Sequence, residues 1–352
     1  MSSDPMSAFV TQLQSRDWKA RKTAVEALGR LGDPRAVENL LSLANDVRWE
    51  VQSAVAEALG LIGDLRALTT LYEMFDGVTY GRIESDGAPH RFDAIVGGAA
   101  VALAQLYRQH QDPAIWEKLD NGFHRHLAVR VDGVSLACVI RGLPYMGDRR
   151  VTPYLLQAAS MSDAWIRFRA IEALGILRDP EGLPALYQAV ETGEPLTIVK
   201  AAADAIAVFG VPEADHPLMK GFQRLETYKV DSYFVNVWYQ VRVRVSRALG
   251  LIATPEAVCF LRGRLADSTL DAKTIAAIGL GYVGERQVVP VLIAGLKEGH
   301  VTTQVGAVEV LSALRSPEAI LPLQQRLASH DATPELREAI RQALEASEGW
   351  ID

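Results

Sequence analysis

The amino-acid sequence predicts an all-α solenoid, in which about nine pairs of helices stack in order and a single helix caps each end. Three observations lead to this prediction: a motif recurs along the chain, its spacing is nearly constant, and a capping residue follows it. Self-similarity of this period is typical of repeat architectures, in which each unit buries its apolar face only against its neighbours. We therefore expect residues 1–352 to form a single solenoid domain.

The motif is clearest in segments 26–37, 57–68 and 172–183, each of which begins Glu-Ala-Leu-Gly and reaches an aspartate seven residues later. The leucine of this motif, or the residue aligned with it, serves as the marker of a repeat. Five of the eight intervals between markers are 31 or 32 residues, so the three longer intervals are interpreted as the same unit with insertions. The nine markers are Leu28, Leu59, Leu103, Leu143, Leu174, Ile206, Leu249, Leu280 and Leu311.

Each marker is predicted to lie in the first helix of its pair. In the first repeat, Ala24, Val25, Leu28 and Leu31 follow the spacing of a helix with one apolar face. Alanine and glycine accompany the leucines, which indicates that the next helix approaches closely at this point.

The second helix is expected to begin about five residues after the marker. A short oxygen-bearing side chain there can accept a hydrogen bond from a free amide of the first helical turn, and a proline at the next position loses no bond. Val211 and Glu285 are the two exceptions, and proline follows in six of the nine repeats. The predicted capping residues are Asp33, Asp64, Asp112 (shifted by a longer turn), Asp148, Asp179, Thr254 and Ser316.

The two ends of the chain differ from the repeats, as a stacked array requires. Asp4 and Pro5 are predicted to open a lone helix that runs to about Gln14, and Thr333 opens another that runs to about Ala346. The closing helix is amphipathic, so its polar side can face water where no further repeat covers it.

The repeat resembles the HEAT-like repeats of the phycobiliprotein-lyase family. The pattern Asp-x₃-Arg-x₂-Ala-x₃-Leu-Gly-x₂-Gly-Asp-Pro-x-Ala stands at 17–36, and it returns at 163–179 with Arg178 in place of the second glycine. The resemblance covers nearly the whole chain outside the insertions and implies an α-solenoid. Such repeats serve bilin lyases, adaptors, scaffolds and chaperone-like factors alike, so the resemblance implies a fold more than an activity.

Three insertions, near 75–92, 107–126 and 222–240, interrupt the regular spacing. Because a unit of 31 residues leaves no room inside its helices, we expect the added residues to bulge from loops, with the first and third insertions on one edge of the solenoid. The aromatic rings there either fill gaps between unequal repeats or form a docking surface. Docking is favoured for the third insertion, since a mere spacer would be rich in Gly and Ser. The candidate partner-binding residues are Tyr80, Arg82, His90 and Arg91 in the first insertion, and Tyr228, Tyr233, Phe234, Trp238, Tyr239 and Arg242 in or beside the third.

A second candidate surface is the concave face of the solenoid, which is expected to be formed mainly by the second helices. Tyr72 and Tyr187 occupy equivalent positions in two second helices, and Trp116 and Tyr154 lie in two others. These four rings are predicted to point towards the groove.

The sequence offers no constellation of reacting groups, and no catalytic residue, metal site or cofactor is predicted. The pairs Asp17/Arg21 and Asp163/Arg167 have the spacing of helical ion pairs and are interpreted as structural. The seven histidines are scattered along the chain. We therefore favour a protein without enzymatic activity. If the protein is an enzyme, the resemblance implies a lyase that attaches phycobilins.

The composition indicates which class of partner the protein binds and in which cellular compartment it is found. With 36 Lys and Arg against 43 Asp and Glu, the formal charge of −7 argues against a protein that grips nucleic acid, although a local basic patch stays possible. Two cysteines fit a reducing compartment, and neither a secretory signal nor a membrane-spanning segment is visible. We expect a soluble, cytoplasmic protein that does not insert into a membrane.

The sequence therefore favours a non-catalytic scaffold or adaptor that binds another protein through its concave face and the edge that carries the insertions. The alternative is a bilin lyase or a chaperone-like factor that handles a tetrapyrrole on a phycobiliprotein, and it rests on the resemblance alone. Nucleic-acid binding is the weaker alternative, supported only by the basic and aromatic residues near Arg242.

Overall fold

The computed structural model describes residues 5–77, 90–128, 133–192 and 195–347, and these residues form helices without a β-strand. Nine pairs of helices follow one another, with one additional helix before them and one after them, as predicted. The single helices are α1 (Pro5–Gln12) and α20 (Pro334–Ala346). The all-α solenoid class is thereby confirmed.

The first helices of the pairs are α2 (Trp18–Leu31), α4 (Trp49–Ile62), α6 (His90–His110), α8 (Gly133–Gly142), α10 (Ala164–Leu177), α12 (Leu196–Phe209), α14 (Val235–Ile252), α16 (Leu270–Val283) and α18 (Val301–Ala313). The second helices are α3 (Val37–Leu41), α5 (Leu68–Phe75), α7 (Pro113–Ala128), α9 (Thr152–Ala159), α11 (Leu183–Thr192), α13 (Asp215–Thr227), α15 (Pro255–Arg264), α17 (Val289–Glu298) and α19 (Ile320–Ala328).

The chain divides into two compact units, Met1–Asp179 and Pro180–Asp352. In the first unit, α2, α4, α6, α8 and α10 pack against one another in that order. In the second unit, α12, α14, α16, α18 and α20 do the same. A single domain over the whole chain stays a prediction.

The markers form the core of both units. All nine are 1% exposed or less, and burial of a leucine side chain stabilises the folded state by about 1.5 to 3 kcal/mol. The markers therefore identify the packed face of eight first helices correctly. Leu143 lies just beyond α8, in the 3₁₀ turn Leu143–Met146 that follows it.

The turn between the two helices of a pair has the structure that the predicted capping residues imply. The carboxylates of Asp33, Asp64 and Asp148 each accept a hydrogen bond of 2.9 Å from the backbone amide two residues later. Each thereby opens a short 3₁₀ turn that continues into the second helix. The side chain of Arg150 also donates to Asp148 and, with other hydrogen bonds, lowers the pKa of this carboxyl to about 2.

Ser316 departs from the rule. Its side chain makes no capping bond, and its buried hydroxyl has no hydrogen-bond partner among the described residues. The prediction of a side-chain cap is wrong at this position, where the buried hydroxyl makes no hydrogen bond with a described residue.

The described parts of the middle and third insertions lengthen helices, although the third also contains a connection at 228–234. Most of the first insertion lies outside the described residues, so the expectation that it bulges from a loop stays a prediction. The first helices α6 and α14 contain 21 and 18 residues, against 14 in α2, α4, α10, α12 and α16. The middle insertion, 107–126, lies almost entirely in the end of α6 and in α7. Added residues can continue a helix beyond the packed core because their backbone groups stay hydrogen-bonded within it.

Consecutive first helices touch through small residues beside the markers. A Cβ atom placed on Gly250 of α14 would lie 2.0 Å from the carbonyl oxygen of Gly279 in α16. The two backbones are therefore in direct contact, and there is no room for a side chain between them. By contrast, nothing lies within 4 Å of the corresponding position at Gly263 in α15.

We expect Gly250→Ala to destabilise the protein by about 1 to 3 kcal/mol, because the methyl group forces α14 and α16 apart. The matched control is Gly263→Ala, which we expect to stabilise the protein by up to about 1 kcal/mol because alanine favours the helix. Chemical denaturation of the three proteins measures both effects. Equal stability of the two variants would show that the close approach does not constrain the stack.

A candidate docking site at the third insertion

The third insertion, 222–240, consists of the end of α13, a connection at 228–234 and the first turns of α14. Within the connection, the carboxylate of Asp231 accepts a hydrogen bond of 3.0 Å from the backbone amide of Tyr233. This bond opens a 3₁₀ turn over Ser232–Phe234 that leads directly into α14. The insertion therefore has a defined local structure in which the 3₁₀ turn precedes the helix.

Trp238 attaches the start of α14 to α13. Its indole Nε1–H donates a hydrogen bond of 3.0 Å to the carbonyl oxygen of Leu225. The ring is half-buried, and it meets the ring of Tyr239 edge to face at a centroid distance of 4.9 Å. This side chain serves to hold its own insertion, which is the gap-filling interpretation of the aromatic residues.

Tyr239 attaches the insertion to the two following repeats. Its hydroxyl donates a hydrogen bond of 3.0 Å to Asp271 at the start of α16. Its ring stacks on His300, with the centroids 4.0 Å apart and the planes inclined by 7°. Asp271 also accepts hydrogen bonds from the backbone amide of His300 and from the hydroxyl of Thr303. One carboxylate thus joins the first turns of three first helices.

Tyr233 and Phe234, unlike the rings that attach the insertion to neighbouring helices, face solvent. Tyr233 is 84% exposed and Phe234 is 50% exposed. Their rings meet edge to face, with the centroids 5.1 Å apart. Two adjacent aromatic rings on a short turn, next to a firmly attached helix, form the exposed apolar part of the insertion. Tyr228, also predicted here, is half-buried in the connection.

Arg242 is buried and is not part of the exposed surface. The residue is 6% exposed, and its guanidinium carbon lies 4.6 Å from the ring centroid of Trp238 and 5.8 Å from that of Phe222. Burial lowers the pKa of Arg242, an effect that nearby acidic groups, Glu226 first among them, oppose.

Three of the four rings predicted on the second helices contact residues of a neighbouring repeat. In the first unit, Lys118 lies over the ring of Tyr72, and Arg150 lies 4.0 Å from the ring centroid of Trp116. The hydroxyl of Tyr154 donates a hydrogen bond of 2.6 Å to Asp120, which raises the pKa of the tyrosine to about 12. These three rings are half-buried and contribute to the contacts between repeats. In the second unit, Tyr187 is half-buried, and burial raises its pKa.

The candidate residues of the first insertion contribute little to the described geometry. Tyr80 and Arg82 lie outside the described residues. His90 and Arg91 begin α6. Their part in a docking surface therefore stays a prediction, as does the shared edge of the first and third insertions.

A groove of about 210 Å³ in the second unit is lined by residues of first helices and of the closing helix α20. The concave surface expected on the second helices stays a prediction. Lys200, Arg244 and Arg247 line it from α12 and α14, and Glu309 and Glu335 from α18 and α20. The first helices converge here, since α14 contacts α18, which belongs to the next repeat but one. Both signs of charge therefore face this groove.

Two kinds of site are absent from the described residues. No group of three or more His, Cys, Asp and Glu side chains is placed to hold a metal ion. No described helix is both long enough and apolar enough to cross a bilayer.

Comparison with known families identifies the repeat. The family model of HEAT repeats matches residues 6–84, 135–207 and 264–345, which together make up more than half of the chain. The chain is a HEAT-repeat protein. The narrower resemblance to the phycobiliprotein-lyase repeats stays a prediction.

Three solved structures that are similar to this chain at low sequence identity are the following. An engineered protein is 18% identical, with a TM-score of 0.36 over 99% of this chain and 100% of its own. The CpcE–CpcF complex of phycocyanin lyase from Nostoc sp. PCC7120 is 19% identical, with a TM-score of 0.41 over 72% of this chain and 95% of its own. The karyopherin Kap121p, bound to the C-terminus of the phosphatase Cdc14p, is 10% identical, with a TM-score of 0.47 over 99% of this chain and 44% of its own. A comparison with curated protein sequences finds no match.

Sequence reasoning missed Asp271 and His300, which hold the third insertion of this HEAT-repeat protein in place. Both precede their markers by about ten residues, as Tyr239 does, so all three lie near the starts of first helices. That shared position could have suggested a contact. The sequence offered no sign that α14 reaches the start of α18.

His300 makes two hydrogen bonds, and the one that its Nδ1 accepts requires a neutral ring. Its Nδ1 accepts a bond of 3.2 Å from the backbone amide of Thr302, and its Nε2 lies 3.0 Å from Oδ1 of Asn236, where a proton on Nε2 completes the bond. Burial lowers the pKa of His300, and the charge of Asp271 opposes this effect. As the pH falls below about 6.5, the unfolded chain therefore takes up this proton before the folded one does. The stabilising contribution is complete above that pH and is lost as the pH falls towards the folded-state pKa.

We expect the melting temperature of the wild type to fall more between about pH 7.5 and pH 5.5 than that of His300→Asn. Asparagine can still cap α18 but does not titrate. The matched control is His216→Asn, at an exposed histidine in α13, which should keep the pH dependence of the wild type. Identical pH profiles of the wild type and His300→Asn would exclude this role of His300.

Proposed function

We propose that this HEAT-repeat protein is a non-catalytic scaffold that binds a partner protein through the third insertion. The observation that carries the proposal is the exposure of Tyr233 and Phe234 beside rings that are firmly held. Tyr233 is 84% exposed, whereas Tyr239 and Trp238 are fixed by hydrogen bonds to Asp271 and Leu225. The exposed pair is thus presented on a turn whose C-terminal end is anchored.

The division of roles within the insertion supports docking over gap filling for the exposed pair. A ring that fills a gap between repeats is buried, as the ring of Phe222 is. Tyr233 and Phe234 contribute little burial to the fold, so their apolar surface stays in contact with water. Aromatic residues dominate the energy of protein interfaces because they bury a large area at little cost in conformational entropy.

The groove in the second unit borders the third insertion at Gln240, and we include it in the proposed surface. Its walls carry both signs of charge, and charge complementarity of this kind selects partners and steers their approach more than it adds affinity. In this proposal, the exposed rings supply most of the binding energy, and the charged groove contributes specificity.

The other functions suggested by the sequence are carried by no observation on the described residues. Bilin handling rests on the resemblance alone, and nucleic-acid binding rests on a basic cluster in which Arg242 is buried. The cytoplasmic location likewise stays a prediction.

We expect the double substitution Tyr233→Ser with Phe234→Ser to lower partner capture from a lysate of the source cells by about tenfold or more. Immobilised wild type and variants are compared by quantitative mass spectrometry of the captured proteins. The matched control is Leu321→Ser, at a residue of α19 that is 62% exposed and lies outside the insertion. All three proteins should melt at similar temperatures, since these side chains are exposed.

A photo-crosslinking amino acid at position 233 or at position 321 provides a second, direct measurement. The proposal expects a covalent adduct with the captured partner from position 233 and none from position 321. Capture of the same partners in equal amounts by all variants, or equal crosslinking from both positions, would contradict it.

A further inference from the structure

Most first helices carry a charged residue two positions before the marker, and we call these residues the charge row. Its members are Glu26, Glu57, Arg141, Glu172, Asp204, Arg247 and Glu309. Five of them form ion pairs, namely Glu26 with Lys22, Glu57 with Arg141, Glu172 with Arg169 and Asp204 with Arg244. No residue that the structure describes forms an ion pair with Arg247 or Glu309.

The ion pair of Glu57 with Arg141 shows how two members of the charge row meet across an intervening helix. Glu57 lies in α4 and Arg141 in α8, and α6 packs against both helices with the apolar Val101 at the same position. Nη2 of Arg141 lies 3.3 Å from Oε1 of Glu57. Arg141 passes α6 at Gly97, where an added Cβ atom would lie 3.3 Å from its Nη1. Opposite charges at this position, two repeats apart, can therefore reach each other.

Arg247 and Glu309 are related in the same way in the second unit, but they do not meet. They lie in α14 and α18, and Ile278 of α16 has the position between them. The ring of Tyr282 in α16 contacts both charged groups. Its centroid lies 5.2 Å from the guanidinium carbon of Arg247, and its hydroxyl donates a hydrogen bond of 3.5 Å to Glu309. The corresponding residue of α6 is Gln105, which has no ring.

Arg247 and Glu309 line the groove of the second unit, where a solute can reach them. Arg247 is half-buried, and Glu309 is exposed. Lys200 of α12 adds a positive charge to the part of the groove that α14 lines, and Glu335 of α20 adds a negative charge to the part that α18 lines. The groove is therefore positive at one end and negative at the other.

The positive end of the groove acts on a carboxylate that already lies near it. Burial raises the pKa of Asp204, and the charges of Arg244, Lys200 and Arg247 oppose this effect. Among the described residues, Arg244 alone comes within ion-pair distance of Asp204, at 3.7 Å. Lys200 and Arg247 are thus placed to attract a further anion.

We propose that the groove binds a segment of a partner protein that carries an acidic and a basic side chain, which supply the missing partners of Arg247 and Glu309. The acidic group binds Arg247 and Lys200, and the basic group binds Glu309 and Glu335. This inference rests on the proposed function and specifies the charges of its partner. A segment with the opposite order of charges would meet like charges at both ends of the groove, so the groove also selects the direction of the segment.

The size of the groove suits side chains better than a larger ligand. Its volume is about 210 Å³. A cavity of about 150 Å³ holds a benzene molecule, whereas pockets for drug-sized ligands begin at about 300 Å³. The groove thus has room for the ends of one or two side chains. Its border with the third insertion at Gln240 makes it part of the proposed docking surface.

A phage-displayed library of short unstructured peptides, selected on the wild-type protein, provides a defined probe. Selected peptides should carry an acidic and a basic residue close together in sequence. Arg247→Gln and Glu309→Gln each remove one charge from the groove, and each should weaken the binding of these peptides about tenfold or more. Replacing the acidic residue of a peptide by glutamine should weaken binding to the wild type far more than binding to Arg247→Gln, because the partner of that residue is already absent from the variant.

An exchange of the two charges tests their order. Arg247→Glu combined with Glu309→Arg keeps the net charge, and it should favour peptides whose acidic and basic residues are exchanged over the selected peptides. The matched control is Glu57→Arg combined with Arg141→Glu, the same exchange at the same positions of the first unit, which should bind the selected peptides as the wild type does. Thermal denaturation shows whether each variant is folded. If the exchange at the groove prevents folding, the neutral variants Arg247→Gln and Glu309→Gln decide the test.

The outcomes separate this inference from the proposed function. Selected peptides that bind the groove variants as tightly as the wild type would overturn the role of the groove, and the docking surface would stand if they still need Tyr233 and Phe234. Peptides that need the groove charges but neither ring would support the groove and contradict the proposed role of the rings. Peptides that are insensitive to all of these substitutions would contradict both. Failure to select any binding peptide would overturn this inference, while photo-crosslinking from position 233 would still test the docking of a folded partner.

Discussion

The close approach of consecutive first helices is the constraint on which this structure depends. Their buried markers leave no space between neighbouring backbones, as the contact of Gly250 with Gly279 shows. Interiors packed to this density transmit displacement and do not absorb it. Any residue added to a repeat must therefore be accommodated where the first helices begin and end, outside the packed segments.

Periodicity and capping chemistry are local properties, and this is why the sequence predicts them well. A leucine that recurs every 31 residues must face the same neighbour in each repeat, and an aspartate before a free helical turn can satisfy an amide without help from distant residues. Ser316 escapes the rule because its environment, not its identity, decides whether it caps. The lengthening of α6 and α14 could not be predicted either, because the same added residues can form a longer helix or a longer loop.

The position of the candidate site could be predicted from the sequence, but the separate roles of its aromatic residues could not. The aromatic content of 222–240 marks the insertion, yet the sequence cannot show which rings will find acceptors. Trp238 is held because the carbonyl of Leu225 lies within reach, and Asn236 meets His300 across 64 residues of chain. Such contacts depend on how far α14 extends past its neighbours, which no pattern within one repeat encodes.

The lengthening of α14 explains the exposed rings of the third insertion. Moving the turn away from the core carries Tyr233 and Phe234 into solvent. A solenoid can in this way acquire a recognition surface from a single altered joint, while the packed segments of the adjoining repeats keep their register. Repeat proteins can tolerate such an alteration because each unit is supported by both of its neighbours.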